Sequence, residues 1–117
     1  MDLEAAIRKH EEWKTRFFAA MTQHLMMDPV IIGKDNYCQL GKWFHGEGKM
    51  KFGNLRSYAD CLSTHELFHV EAAKVAQAIN AKNYAEAPNM LGDGSSLANA
   101  SLEVAKALVK FKEEAKL

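Results

Sequence analysis

Apolar residues recur at steps of three and four over long stretches of this chain, and that spacing marks one face of a helix. Leu3, Ala6, Ile7, His10, Trp13, Phe17, Met21 and His24 make such a stripe, which predicts a helix over residues 2–27. Asp28-Pro29 ends it, because proline disfavours the helical region for the residue before it. VIIGKDN reads as a loop or short turn. Asp35 or Asn36 is placed to cap a second, shorter helix, YCQLGKWFH, which Gly46 and Gly48 stop. A third long helix is expected over roughly 52–81, with Leu55, Ala59, Leu62, His65, His69, Ala72, Ala76 and Ile79 on its buried stripe. NYAEAPNML predicts a short helix broken by LGDGSS. The last helix, about 95–115, starts at a Ser95/Ser96 cap and buries Leu97, Val104, Leu108 and Phe111. No strand-like alternation extends beyond PVII. Long helices with short connections predict an all-α antiparallel four-helix bundle with an additional short helix, a single domain over residues 1–117.

Composition narrows the function classes. With 48% apolar residues in 117, a packed core is expected, and two prolines and seven glycines argue against disorder. The formal net charge is zero, so no electrostatic case exists for nucleic acid or an anionic membrane. The acidic, amphipathic start MDLEAAIRKHEEW has no signal-peptide pattern, and no apolar run approaches the roughly 20 residues of a membrane-spanning helix. Two cysteines, Cys38 and Cys61, imply no disulfide framework. A cytoplasmic setting, where thiols stay reduced, is the expectation.

Histidines sit where the stripes predict a core. His10 falls on the buried face of the first helix, and His65 and His69 on that of the third. A buried imidazole needs partners for its ring nitrogens. For one such residue a carbonyl or a water is the usual partner. Three on facing stripes, two of them at i and i+4, suit a shared metal ion. Cys38, expected in the first turn of the second helix, adds a candidate fourth ligand whose thiolate the helix N-terminus favours. Three imidazoles and a thiolate make a closed tetrahedral set suited to zinc. Gly41 is expected to let another helix approach, with Leu40 and Trp43 as an apolar wall.

His10-Glu-Glu-Trp13, Cys38-Gln-Leu40-Gly41-Lys-Trp43 and His65-Glu-Leu-Phe68-His69, in that order, resemble the chemoreceptor zinc-binding (CZB) domain family. The resemblance implies a helical regulatory domain of bacterial signalling proteins, with zinc held by His10, Cys38, His65 and His69. It implies attachment to, or partnership with, effectors such as soluble chemoreceptors or diguanylate cyclases. It also implies homodimers, and sensing of zinc or of hypochlorous acid through the zinc-bound cysteine. No effector is present in this chain, which is either a free-standing module or an excised domain. Cys61 is outside the motif.

Two rival readings use the same histidines. His65-Glu66-Leu67-Phe68-His69 also matches the H-E-x-x-H of zinc peptidases, with Glu66 as base and Glu86 or Glu103 as a further ligand. Cys38 would close the position such an enzyme keeps open for water, and an all-helical chain has no sheet edge to align a peptide, so the expectation is a non-enzyme. A hemerythrin-like di-iron bundle could use His24 and Asp28 with His65 and His69, but no histidine follows His69. His24 is about 21 Å of helix from His10 and is expected at the edge of the core. His45 is expected to be exposed and Cys61 to be a buried free thiol. Met21, Met26 and Met27 read as core filling. Val30, Ile31 and Ile32 suit either a dimer surface or the core.

Overall fold

The computed structural model describes all 117 residues, and its regular elements are all helices. The first stripe becomes α1 (Leu3–Glu11) and α2 (Trp13–Gln23), joined through Glu12, which keeps right-handed helical angles, so the two form one rod. The Asp2 carboxylate accepts the Ala5 N–H at 3.0 Å and caps it. The rod stops before residue 27. His24 turns left-handed, with φ 56°, and returns its N–H to the Ala20 carbonyl.

PVII is not a loop. Asp28 accepts from the N–H groups of Val30 and Ile31, Pro29 takes the first helical position, and α3 (Pro29–Ile32) follows. The α2–α3 link is tied down by Asn80, whose side-chain amide bonds both the N–H and the carbonyl of Met27, at 2.8 and 2.6 Å.

The second helix also differs from expectation. Neither Asp35 nor Asn36 caps it; α4 (Gln39–His45) starts at Cys38 itself. Gly46 ends α4, but α5 (Glu47–Phe52) begins at once, with Gly48 pressed against the Trp43 ring, where a side chain would come within 2.8 Å. The third long helix, α6 (Arg56–Asn80), therefore starts later than residue 52. Its first turn has no cap of its own. Glu114 supplies one from across the bundle, accepting from the N–H and the hydroxyl of Ser57 at 3.3 and 2.9 Å. The short α7 (Ala87–Leu91) and the Ser95-capped α8 (Ser96–Ala115) complete the chain as the sequence predicts.

Contacts give the directions. His10 meets His65 and Met27 meets Asn80, so the α1–α2 rod runs parallel to α6. Cys38 meets His69 and Phe44 meets Tyr58, so α4 runs against it. Cys61 meets Ala107 and Ser57 meets Glu114, so α8 does too. These are the alternating directions of an up-down-up-down bundle. The core runs along a molecule 43 × 24 × 19 Å. Phe17, Phe44, Phe68 and Phe111 are fully enclosed, each worth about 2–3 kcal/mol of burial. No helix is long and apolar enough to cross a membrane.

Candidate metal centre

Three rods deliver four donor atoms to one point inside the bundle. His10 comes from the α1 stripe, Cys38 from the cap of α4, and His65 and His69 from successive turns of α6. The three histidines are buried and Cys38 is half-buried. The four donor atoms all lie within 4.8 Å of one another.

Four of the six separations are close to the edges of a tetrahedral zinc site. His65 Nε2 is 3.1 Å from both His10 Nε2 and His69 Nε2, and Cys38 Sγ is 3.3 and 3.6 Å from the Nε2 atoms of His65 and His69. A tetrahedron with zinc bonds of about 2.05 Å to nitrogen and 2.3 Å to sulfur has edges of about 3.3 and 3.6 Å. Direct hydrogen bonding would suit these atoms poorly, because three clustered imidazoles cannot all find donors and acceptors in one another.

The ring orientations are set by the far nitrogens. His10 Nδ1 donates to the Ala6 carbonyl and His69 Nδ1 to the Ile32 carbonyl, each at 2.8 Å, which leaves each Nε2 lone pair facing the centre. Ile32 can accept because it ends α3, where helix carbonyls lack backbone partners. His65 Nδ1 is buried with no partner at all. The carbonyl one turn back on its own helix, that of Cys61, already accepts from Thr64 Oγ1 at 3.2 Å.

Burial fixes the protonation states of the four side chains. Burial holds His10 and His69 below the usual histidine range and, with the neighbouring imidazoles, pushes His65 down to about 2. All three are therefore neutral, the form that binds metal. Cys38 behaves differently from expectation. Burial raises its pKa and outweighs the Gly41 and Leu40 N–H groups that act the other way, so without metal the helix N-terminus does not make it a thiolate. A bound cation has to displace the proton. The Gly41 N–H points at Sγ from 3.3 Å and Sγ in turn faces the Asp35 carbonyl at 3.8 Å.

Gly41 accommodates something other than a helix. A Cβ there would overlap the Asp35 carbonyl oxygen and stand 2.6 Å from its carbon. The α3–α4 loop, not a neighbouring rod, makes the close approach. Asp35 also pairs with His45 at 3.0 Å, tying this loop to the end of α4. The sequence offers Asp35 as a helix cap, Ala6 on a stripe and Ile32 at a surface or in the core, and gives none of them a role at the site. The Asp28-Pro29 capping pattern was the signal that could have revealed α3 and its free carbonyl.

The remaining candidates lie elsewhere. His24 is exposed, stacked on Tyr84 with ring centroids 4.6 Å apart, and neither it nor Asp28 joins the cluster a di-iron site would need. Glu66 is exposed and outside the cluster. Cys61 is a buried thiol that donates to the Ala107 carbonyl at 3.1 Å, pushed up to about 12 by burial. Met26 is exposed rather than core-filling, whereas Met21 and Met27 pack against the core.

The family model of the chemoreceptor zinc-binding domain matches residues 10–76, more than half of the chain. The chain belongs to that family. The match opens on His10 and spans all four clustered residues and the α4 cap. Zinc is accordingly the metal of this CZB domain, and the N₃S donor set and its spacing fit that ion. No curated relative and no solved structure matches the chain.

Proposed function

We propose that this CZB chain is a zinc-responsive regulatory domain of bacterial signalling, not an enzyme, and that residues 1–117 form one such domain. Zinc binds through His10 Nε2, Cys38 Sγ, His65 Nε2 and His69 Nε2. The observation that carries this reading is the convergence of these four donors from three rods, with His10 and His69 held by backbone carbonyls. Four protein ligands leave no position for a substrate water, which disfavours the peptidase reading.

The response lies in α4. Cys38 is at once a ligand and the cap of a seven-residue helix, so losing zinc, or oxidising the thiolate with hypochlorous acid, removes both roles together. The output is a change in how α4 and the α3–α4 loop pack, passed to a second copy or to an effector of the chemoreceptor or diguanylate cyclase type. Val30 and Ile31 are exposed while Ile32 is buried, so the first two are available to a homodimer. A cytoplasmic setting suits a reduced Cys38.

Metal analysis tests the site. One zinc per chain is expected, with Cys38→Ala weakening binding and Cys61→Ala leaving it nearly unchanged. The opposite pattern refutes the assignment. Zinc released by hypochlorous acid should come with modified Cys38 in peptide mass spectra. Release with Cys38 intact refutes the redox response and leaves the zinc site standing.

A further inference from the structure

The cluster is not equally enclosed on all sides. Phe44 stands against His65 and Phe68 against His10, and the Ile32 carbonyl backs His69. A cavity of about 410 Å³ nevertheless reaches the site, touching His10 and Cys38 but neither His65 nor His69. Cys38 is also the one member of the four that is not fully buried.

The walls of this cavity carry two cations without carboxylate partners. Arg16 lies over the Trp13 ring at 4.3 Å, which holds its guanidinium while leaving the fork of N–H donors free. Lys9, next to His10, donates to Gln39, next to Cys38, at 3.0 Å, bridging α1 and α4 beside the two ligands. Neither cation appears among the ion pairs of the chain. Two carboxylates, Asp2 and Glu12, share the wall with Met1; Asp2 accepts the Ala5 N–H and keeps its charge, and neither pairs with Lys9 or Arg16.

We propose that this cavity is an exchange port for zinc: a small carboxylate chelator seats on Arg16 and Lys9 and enters the metal's coordination at the His10–Cys38 edge. The inference rests on the four-ligand reading of the site. Zinc is then handed over rather than shed. With zinc held there, its bond to Cys38 Sγ or His10 Nε2 would break as one to a chelator oxygen or nitrogen formed; a displaced Cys38 thiolate would take a proton from solvent, whereas a displaced His10 would stay neutral. No redox change is involved. A closed four-ligand site buried in a bundle releases its ion slowly unaided, so the port sets how fast the domain reports a fall in available zinc.

A smaller cavity of about 220 Å³ also touches His10, between Trp13, Phe68, Leu91 and Leu97, but does not reach Cys38. It is the rival route, and Ala98 lines it while Ala5 lines the port.

The test uses the full chain loaded with cobalt(II), whose thiolate-to-metal absorption reports Cys38 ligation. Absence of that band before any chelator is added refutes the four-ligand reading itself. With the band present, nitrilotriacetate should bleach it at a rate proportional to its concentration. Ala5→Phe should slow bleaching at least fivefold, by nitrilotriacetate and by neutral phenanthroline alike. Arg16→Gln should slow only nitrilotriacetate, by a similar factor, and Ala98→Phe should slow neither. A rate independent of chelator concentration overturns the port, as does slowing by Ala98→Phe and not by Ala5→Phe. Equal bleaching of Arg16→Gln and the parent chain by nitrilotriacetate overturns the carboxylate assignment. Circular dichroism of each variant confirms that the bundle is intact.

Discussion

Replacing Gly41 with alanine tests the architecture of the site with a single methyl group. The new Cβ would overlap the Asp35 carbonyl oxygen and stand 2.6 Å from its carbon. Both are backbone atoms, so no side chain can rotate away. Either the α3–α4 loop or the start of α4 has to move, and Cys38 lies between them. The shift disturbs the Gly41 N–H contact to Sγ at 3.3 Å and the Sγ contact to the Asp35 carbonyl at 3.8 Å. Loss of such supporting contacts costs about 10–100-fold in metal affinity, or about 1.4–2.8 kcal/mol. Overpacking adds about 1–3 kcal/mol to the loss of fold stability. The assay is a zinc competition titration against a chromophoric chelator, with helicity followed in parallel. Gly92→Ala is the control, since the nearest atoms to a Cβ there are at 3.7 and 3.8 Å. Gly41→Ala should bind zinc about 10–100-fold more weakly with helicity largely retained, and Gly92→Ala should bind like the parent. Equal affinity of Gly41→Ala and the parent would refute the claim that this loop contact positions Cys38.

Other expected outcomes follow from the same contacts. The metal-free protein should lose stability in acid. His10, His65 and His69 are held neutral in the fold while the unfolded chain takes up protons below about pH 6.5. Stability present above that pH is lost as pH falls toward the depressed folded values, by up to about 1.4 kcal/mol per pH unit for each histidine. Urea midpoints that do not change between pH 6.5 and 4.5 would contradict this. Glu114→Ala removes the cap that α8 lends to α6 and should cost about 1 kcal/mol in urea unfolding without changing zinc affinity. Cys61→Ala should cost about 1 kcal/mol from lost burial, also leaving zinc affinity unchanged. A large loss of metal on either substitution would show that these contacts outside the ligand set shape the site.

The helical bundle and the three histidines were legible in the sequence because both depend on local repetition, and Cys38 through its helix-start position and its motif. Stripes at three- and four-residue spacing define rods whatever their neighbours, and His65 and His69 share a face by helix geometry alone. The three ordered motifs carried the family resemblance. Where helices begin and end was less legible. The α2 stop rests on His24 turning left-handed, and α6 is capped by Glu114, which is far away in sequence. The state of Cys38 also depended on the fold. Its position at a helix start pointed to a thiolate, but burial among the rods outweighs the amide donors. Most of what tunes the site is backbone brought in by packing: the Ala6 and Ile32 carbonyls that orient His10 and His69, and the Asp35 loop seated on Gly41. A backbone carbonyl has no letter in the sequence. The sequence by itself therefore determined which residues could meet a metal, whereas only the tertiary structure decided which atoms face it, because those directions come from hydrogen bonds between segments far apart in the chain.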